Sequence, residues 1–214
     1  ESATAHHHLC FVSLPMSESG QTSETPAKRL FFALWPDDAL RRKLHALGEE
    51  IFGNCSMRCS TSAIPGVVGN HRGRRIPPEN LHLTLAFLGP VDAERQACLE
   101  RMALAIRSPA FTLTLDQAGF WPRKGLLWAG GTSPAELLAL VQEINQCLRT
   151  CGLVPETRPY QVHLTLARNV RGLRLDRDRA VVPLAWKVSQ FALVASQTLP
   201  EGACYEVLRT WKLE

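Results

Sequence analysis

The chain has 214 residues, 45% hydrophobic and 21% charged, an ordinary globular composition for one domain or two small lobes. A formal charge of +4 and a pI near 8.8 suit an anionic ligand and fall short of the basic density of a protein that wraps nucleic acid. No apolar run approaches the roughly 18–20 residues of a membrane span, so a soluble, cytoplasmic protein is expected. The seven cysteines show no paired zinc or disulfide spacing and are expected to be mostly reduced, with Cys55 and Cys59 the one close pair that might differ.

Residues 1–28 read as a leader and disordered N-terminus, with His6, His7 and His8 a tag remnant outside any site and Met16 the natural start. From Arg29 to Trp35 the continuous apolar run RLFFALW predicts a buried strand. Asp37 and Asp38 then start a helix carrying Leu40, Leu44, Leu47 and Ile51 at helical spacing. Residues 53–75 have no periodicity and read as a long loop. The turn Pro77-Pro78-Glu79-Asn80 feeds a strand that is expected to stop at Gly89-Pro90. Asp92 caps a helix carrying Ala97, Leu99, Met102, Leu104 and Ile106. Strands follow at Phe111–Leu115 and Leu126–Ala129. A helix capped by Thr132 or Ser133 then presents Leu137, Leu138, Val141, Ile144 and Leu148, and Gly152 ends it. Two last strands, Lys187–Ala195 and Cys204–Lys212, flank a turn at Pro200-Glu201-Gly202.

The pentapeptide HLTLA occurs twice, beginning at His82 and again 81 residues later at His163. As strands, the two copies send Leu81, Leu83, Leu85 and Phe87, or Val162, Leu164 and Leu166, to a buried face. His82, Thr84 and Ala86, or His163, Thr165 and Ala167, take the opposite face, where each small alanine leaves room for a ligand. Each copy follows a helix, so the pattern predicts a duplicated α+β fold whose two halves bring both imidazoles to one cleft.

Two such histidines can act as general acid and general base, because an ordinary pKa near 6.5 makes both protonation states accessible at neutral pH. Thr84 and Thr165 can hold a phosphate oxygen, and Arg168 is the expected cation. Strict alternation points Arg168 to the buried side, so its use requires a bulge, a strand end or strong twist. A lone histidine in a leucine-rich strand is usually structural, and the duplication is what argues for chemistry. No carboxylate or cysteine shares these strand faces, so no metal and no cofactor is expected. Trp35, Trp121 and Trp128 can pack in the core or stack on a base.

The paired His-x-Thr-x motifs, with RLFFALWP, IPPENLHLTLAFLG, RPYQVHLTLAR and FALVASQTLPEGACYEVL around them, resemble the two-histidine phosphoesterases. Within these the chain is similar to the RNA 2′,3′-cyclic phosphodiesterase (LigT-like, "2′-5′ RNA ligase") family. The resemblance runs from about Arg29 to Glu214. It implies a single bilobal domain with two antiparallel sheets, flanking helices, a central groove and a pseudo-twofold axis. It also implies metal-independent opening of a 2′,3′-cyclic phosphate at an RNA end to a 2′-phosphate, possibly with 2′-5′ RNA ligase activity. In that pattern His82 is the proton donor and His163 the proton acceptor, while Thr84, Thr165 and Arg168 bind phosphate. The expected partner is an RNA with a 2′,3′-cyclic phosphate or 2′-phosphate end, met by a monomer. The rival readings are a cyclic phosphodiesterase acting on small nucleotides and a non-catalytic RNA-end binding module, which would bind with salt sensitivity and release no product.

Overall fold

A computed structural model describes residues 27–52, 72–175, 179–199 and 202–214. Residues 1–26 of the expected leader, residues 53–71 of the expected loop with the Cys55/Cys59 pair, and the first two residues of the last expected turn lie outside these; Lys28, expected in the leader, opens the first strand. The described chain runs β1 (Lys28–Leu34), α1 (Asp38–Phe52), β2 (Arg72–Arg75), β3 (Leu83–Val91), α2 (Ala93–Ala103), β4 (Phe111–Trp121) and β5 (Leu126–Gly130). It continues with α3 (Ala135–Thr150), β6 (Leu164–Arg171), β7 (Arg179–Val188), β8 (Gln190–Leu199) and β9 (Gly202–Lys212).

The strands are joined in the order β7-β4-β5-β6-β3-β1-β8-β9, every pairing antiparallel, with β2 added on β6. This is the expected α+β class. A half of five strands, β2 included, and a half of four meet where β3 touches β6, and a single register pair, Leu83 opposite Leu164, joins them. The strand–helix–strand units β1–α1–β3 and β5–α3–β6 occupy corresponding places on either side of that junction.

The helices share one face of the sheet. Leu40, Leu44, Ile51 and Phe52 of α1 and Leu137, Leu140, Val141, Ile144 and Leu148 of α3 are buried with Leu30, Phe32, Leu83, Leu85, Leu164 and Leu166 in one core. The helices cross between halves: α1 packs on β6 and β7, and α3 packs on β3. A second, smaller cluster of Phe31, Ala33, Ala192 and Val194 lies apart from it, with Trp35 and Tyr205 against it.

Local chemistry explains most boundaries. Asp37 Oδ1 accepts from the Leu40 amide at 2.7 Å and Asp92 Oδ1 from the Arg95 amide at 2.8 Å, so each aspartate satisfies an orphan donor at a helix start. Gly152, at φ 72°, takes the left-handed position after α3.

Several expectations are corrected. Neither Thr132 nor Ser133 caps α3, whose N-cap position is Pro134 with no side-chain bond. Leu138 is 38% exposed rather than buried. Arg72–Arg75, expected as loop, is strand β2, because the free edge of β6 supplies its hydrogen bonds where RGRR offers no apolar signal. β3 runs through Gly89-Pro90 to Val91, the glycine absorbing φ 74°. The stretch expected as one strand from Lys187 breaks at Ser189 into β7 and β8. Cys98 and Cys151, expected to be reduced, form a disulfide that ties the start of the turn after α3 to α2; their separation of 53 residues shows no pattern that sequence reading detects.

Candidate active site

Each histidine stands one residue before its strand and follows a stiff approach. Before His82, Pro77 and Pro78 open a tight turn closed by the Asn80 amide on the Pro77 carbonyl at 2.9 Å. The Asn80 side chain donates to the Ala203 carbonyl at 3.3 Å, anchoring the turn to β9. The Asn80 carbonyl is then 2.7 Å from His82 Nδ1. The second copy repeats this contact, with His163 Nδ1 2.9 Å from the Gln161 carbonyl. A carbonyl only accepts, so in both rings Nδ1 carries the proton and Nε2 of the neutral imidazole is left as an acceptor.

The junction register brings the motifs together. Continuing Leu83 opposite Leu164 by one residue in each direction sets His82 beside Thr165 and His163 beside Thr84, all on the face away from the helices. In that geometry the two histidines are diagonal neighbours, about 7–8 Å apart along the backbone and somewhat closer at Cβ, a span that admits one phosphorus atom between the rings.

The expectation that Ala86 and Ala167 share this face, and that Phe87 is buried, is overturned by a bulge in each motif. Between Trp128 opposite Thr165 and Leu127 opposite Ala167, β6 gains one residue, Leu166. Between Ala33 opposite Thr84 and Phe32 opposite Ala86, β3 gains Leu85 in the same way. Beyond each bulge the side chains change face. Ala167 is fully buried on the helix side, Arg168 stands exposed beside the histidines, and Phe87 emerges 56% exposed. The bulge is the device that Arg168 required. Phe87 and Arg168 are thus matched positions, each five residues after its histidine.

The rings are held differently. His82 is enclosed by Trp35, stacked at 5.1 Å and 12°, by Phe31 at 5.0 Å, and by Tyr205 edge-on at 4.9 Å. His163 meets Trp121 at 4.9 Å. Trp121 leans on Trp128 at 5.4 Å, and the Trp128 indole lies so close over Gly119 that a Cβ there would come within 2.1 Å of it. Trp128, one of the three tryptophans considered for base stacking, is buried and committed to packing, while the half-buried Trp35 stacks on His82. Lys124 sits over Trp121 at 4.7 Å.

Both imidazoles are poised neutral. Burial lowers the His82 pKa from 6.5 to about 4, with the charge of Arg168 and the proximity of His163 acting the same way against the Asn80 hydrogen bond. Burial also lowers that of His163, helped by the cations of Lys124 and Arg168. Among the described residues no group of three His, Cys, Asp or Glu side chains gathers to hold a metal ion.

A groove of about 710 Å³ opens from this point, with His163, Trp121 and Lys124 at one end. Its floor is Thr84 to Phe87 of β3, and its walls are α3 and the segment from Glu156 to Gln161. Tyr160 pins the near wall, its hydroxyl donating to the Thr84 carbonyl at 3.0 Å. Sequence reading missed Tyr160, Lys124 and the aromatic box around His82, since these are long-range neighbours that no local pattern marks.

Comparison with known proteins agrees with this geometry. Residues 63–198 match the family model described as the 2′-5′ RNA ligase superfamily. The chain belongs to that superfamily. The RNA 2′,3′-cyclic phosphodiesterase of Escherichia coli (strain K12) is 37% identical over 148 residues, 66% of this chain and 80% of that protein. The enzyme of the same name from Archaeoglobus fulgidus is 27% identical over 197 residues, 86% of this chain and 99% of its own. The crystal structure of E. coli LigT complexed with 3′-AMP superposes with a TM-score of 0.69 at 32% identity, covering 88% of this chain and 98% of that one. No helix among the described residues is long and apolar enough to cross a membrane.

Proposed function

We propose that this superfamily member hydrolyses RNA 2′,3′-cyclic phosphate ends to 2′-phosphates, by acid–base catalysis from His82 and His163. The observation that carries the reading is the repeated Nδ1–carbonyl bond at both histidines, on motifs that one register pair sets side by side. It fixes two rings in one tautomer with both Nε2 atoms free for chemistry.

In the proposed reaction, water attacks phosphorus while an unprotonated Nε2 takes its proton. The new P–O bond forms as the P–O3′ bond breaks, and the departing 3′ oxygen takes a proton from the other imidazole, which entered as imidazolium. Thr84 and Thr165 donate to the non-bridging oxygens, and Arg168 balances the charge that builds on them. His163 borders the open groove from which water arrives and is assigned as base; His82, boxed by aromatic rings, is assigned as acid. A low pKa makes His82 a strong donor once protonated, and the phosphodiester anion between the rings favours that protonation against burial. With a ribose 5′-hydroxyl in place of water, the same displacement breaks the P–O3′ bond and forms a 2′-5′ linkage. Residues 29–214 act in this reading as one unit, since each half contributes a histidine, and the unit is taken as a monomer. A cytoplasmic setting belongs to the same proposal, although the Cys98–Cys151 bond is of a kind that reducing compartments seldom keep.

The test is turnover of an oligonucleotide with a 2′,3′-cyclic phosphate end, in EDTA, by the parent protein and by His82→Ala and His163→Ala. Each substitution is expected to cost about 10²–10⁴ in rate. Full activity in either variant would remove that histidine from the mechanism.

A further inference from the structure

Each motif histidine packs on a tryptophan that precedes a proline, Trp35-Pro36 beside His82 and Trp121-Pro122 beside His163. The residues that follow the two dipeptides differ in charge. Asp37 and Asp38 come after the first and are engaged at the start of α1, Asp37 capping the Leu40 amide and Asp38 pairing with Arg41 at 3.2 Å. Arg123 and Lys124 come after the second, in the turn between β4 and β5. That turn is held from both sides. The Lys124 amide donates to the Trp121 carbonyl at 3.1 Å and the Gly125 amide to the Pro122 carbonyl at 3.2 Å, while the Gly125 carbonyl accepts from the Val170 amide at 3.0 Å. Gly125, at φ 59°, lies so close to β6 that a Cβ there would stand 3.1 Å from the Val170 carbonyl oxygen. The turn thus delivers Lys124 to one place, its ammonium 4.7 Å from the centre of the Trp121 ring, and Trp121 in turn meets His163 at 4.9 Å. The charges that face His163 single this lysine out. Arg168 on β6 lowers the pKa of both imidazoles, whereas Lys124 acts on His163. Glu156 and Arg158, which line the groove with His163, pair with each other. Lys124 is therefore the fixed cation that separates the two rings.

Resting on the phosphodiesterase reading above, we infer that Lys124, seated on Trp121, is a positioning residue that singles out His163 as the base. Its ammonium holds the indole face against which the imidazole packs, so the ring stays aimed at the phosphate position. Its charge opposes a second positive charge on His163, so Nε2 stays unprotonated until a water proton arrives. His82 is left to carry the proton that the substrate anion favours.

The test compares the parent protein with Lys124→Met, which keeps the aliphatic stem on Trp121 and loses the charge, and with Lys124→Arg, which keeps both. NMR follows the titration of each histidine. Lys124→Met is expected to raise the pH at which His163 titrates by about 0.5 and to leave His82 where it was, while Lys124→Arg restores the parent value. The acidic limb of kcat/KM against pH, measured on a cyclic-ended RNA, should move upward by the same amount in Lys124→Met, because the base must be neutral in the free enzyme. An unmoved His163, or both histidines moving together, overturns the inference. So does a limb that stays in place while His163 titrates higher, since His163 is then not the base. Turnover by the parent protein separates the two ideas. A selective shift of His163 in a protein without turnover sinks the function and keeps the coupling of Lys124 to His163; turnover without that shift does the reverse.

Discussion

In the proposed reaction Arg168 decides more than phosphate affinity, because its charge lowers the pKa of both histidines. A cation near an imidazole disfavours the imidazolium, so removing it raises both pKa values. Arg168→Ala should therefore show two changes at once. The rate should fall by about 10²–10³, as when one charge-stabilising donor is lost. The histidine titrations followed by NMR should move to higher pH. Rings that titrate as in the parent protein would mean that Arg168 lies too far away to act. The histidines, threonines and this arginine could all be singled out as candidates in the sequence, because the duplicated HLTLA is a local pattern. Phe87 was not, since its outward turn depends on one extra residue in a register that only the folded pairing defines.

At the level of elements, helices α1 to α3 and most strands follow from caps and periodicity, which are local properties of the chain. What stayed hidden is what needs a partner: β2 on the edge of β6, the matched bulges, and the Cys98–Cys151 link between α2 and the end of α3. That link closes a loop of 53 residues, and the chain-entropy estimate for such a loop is about 4 kcal/mol. Cys98→Ser, or reduction with dithiothreitol, is expected to lower the melting temperature markedly while leaving turnover at 25 °C near the parent value, because neither cysteine lines the groove. An unchanged melting temperature would show that the bond does not hold the helices together in solution. Cys147, buried and free one helical turn before Cys151, is the thiol to replace first if exchange complicates the measurement.

For the molecule as a whole, the neutral histidines tie folding, anion binding and pH together. A histidine whose pKa drops from 6.5 in the unfolded chain to about 4 in the fold binds its proton more readily when unfolded. Its contribution is full above pH 6.5 and is lost as the pH falls through about 4. For His82 alone this amounts to about 3 kcal/mol, to the nearest order, so stability should decline steadily on acidification across that window. His82→Gln should flatten the decline. An anion held between the rings reverses the balance, because its charge favours the imidazolium, and linkage then requires that binding take up protons. Sulfate is the useful probe, since its own charge does not change near neutrality. Its affinity should rise as the pH is lowered from about 7 towards 5, and calorimetry in two buffers of different ionisation enthalpy should record net proton uptake. Sulfate binding that is indifferent to both pH and buffer would mean that the anion does not sit between the two imidazoles, and the shared pocket on which the acid–base reading depends would be lost with it.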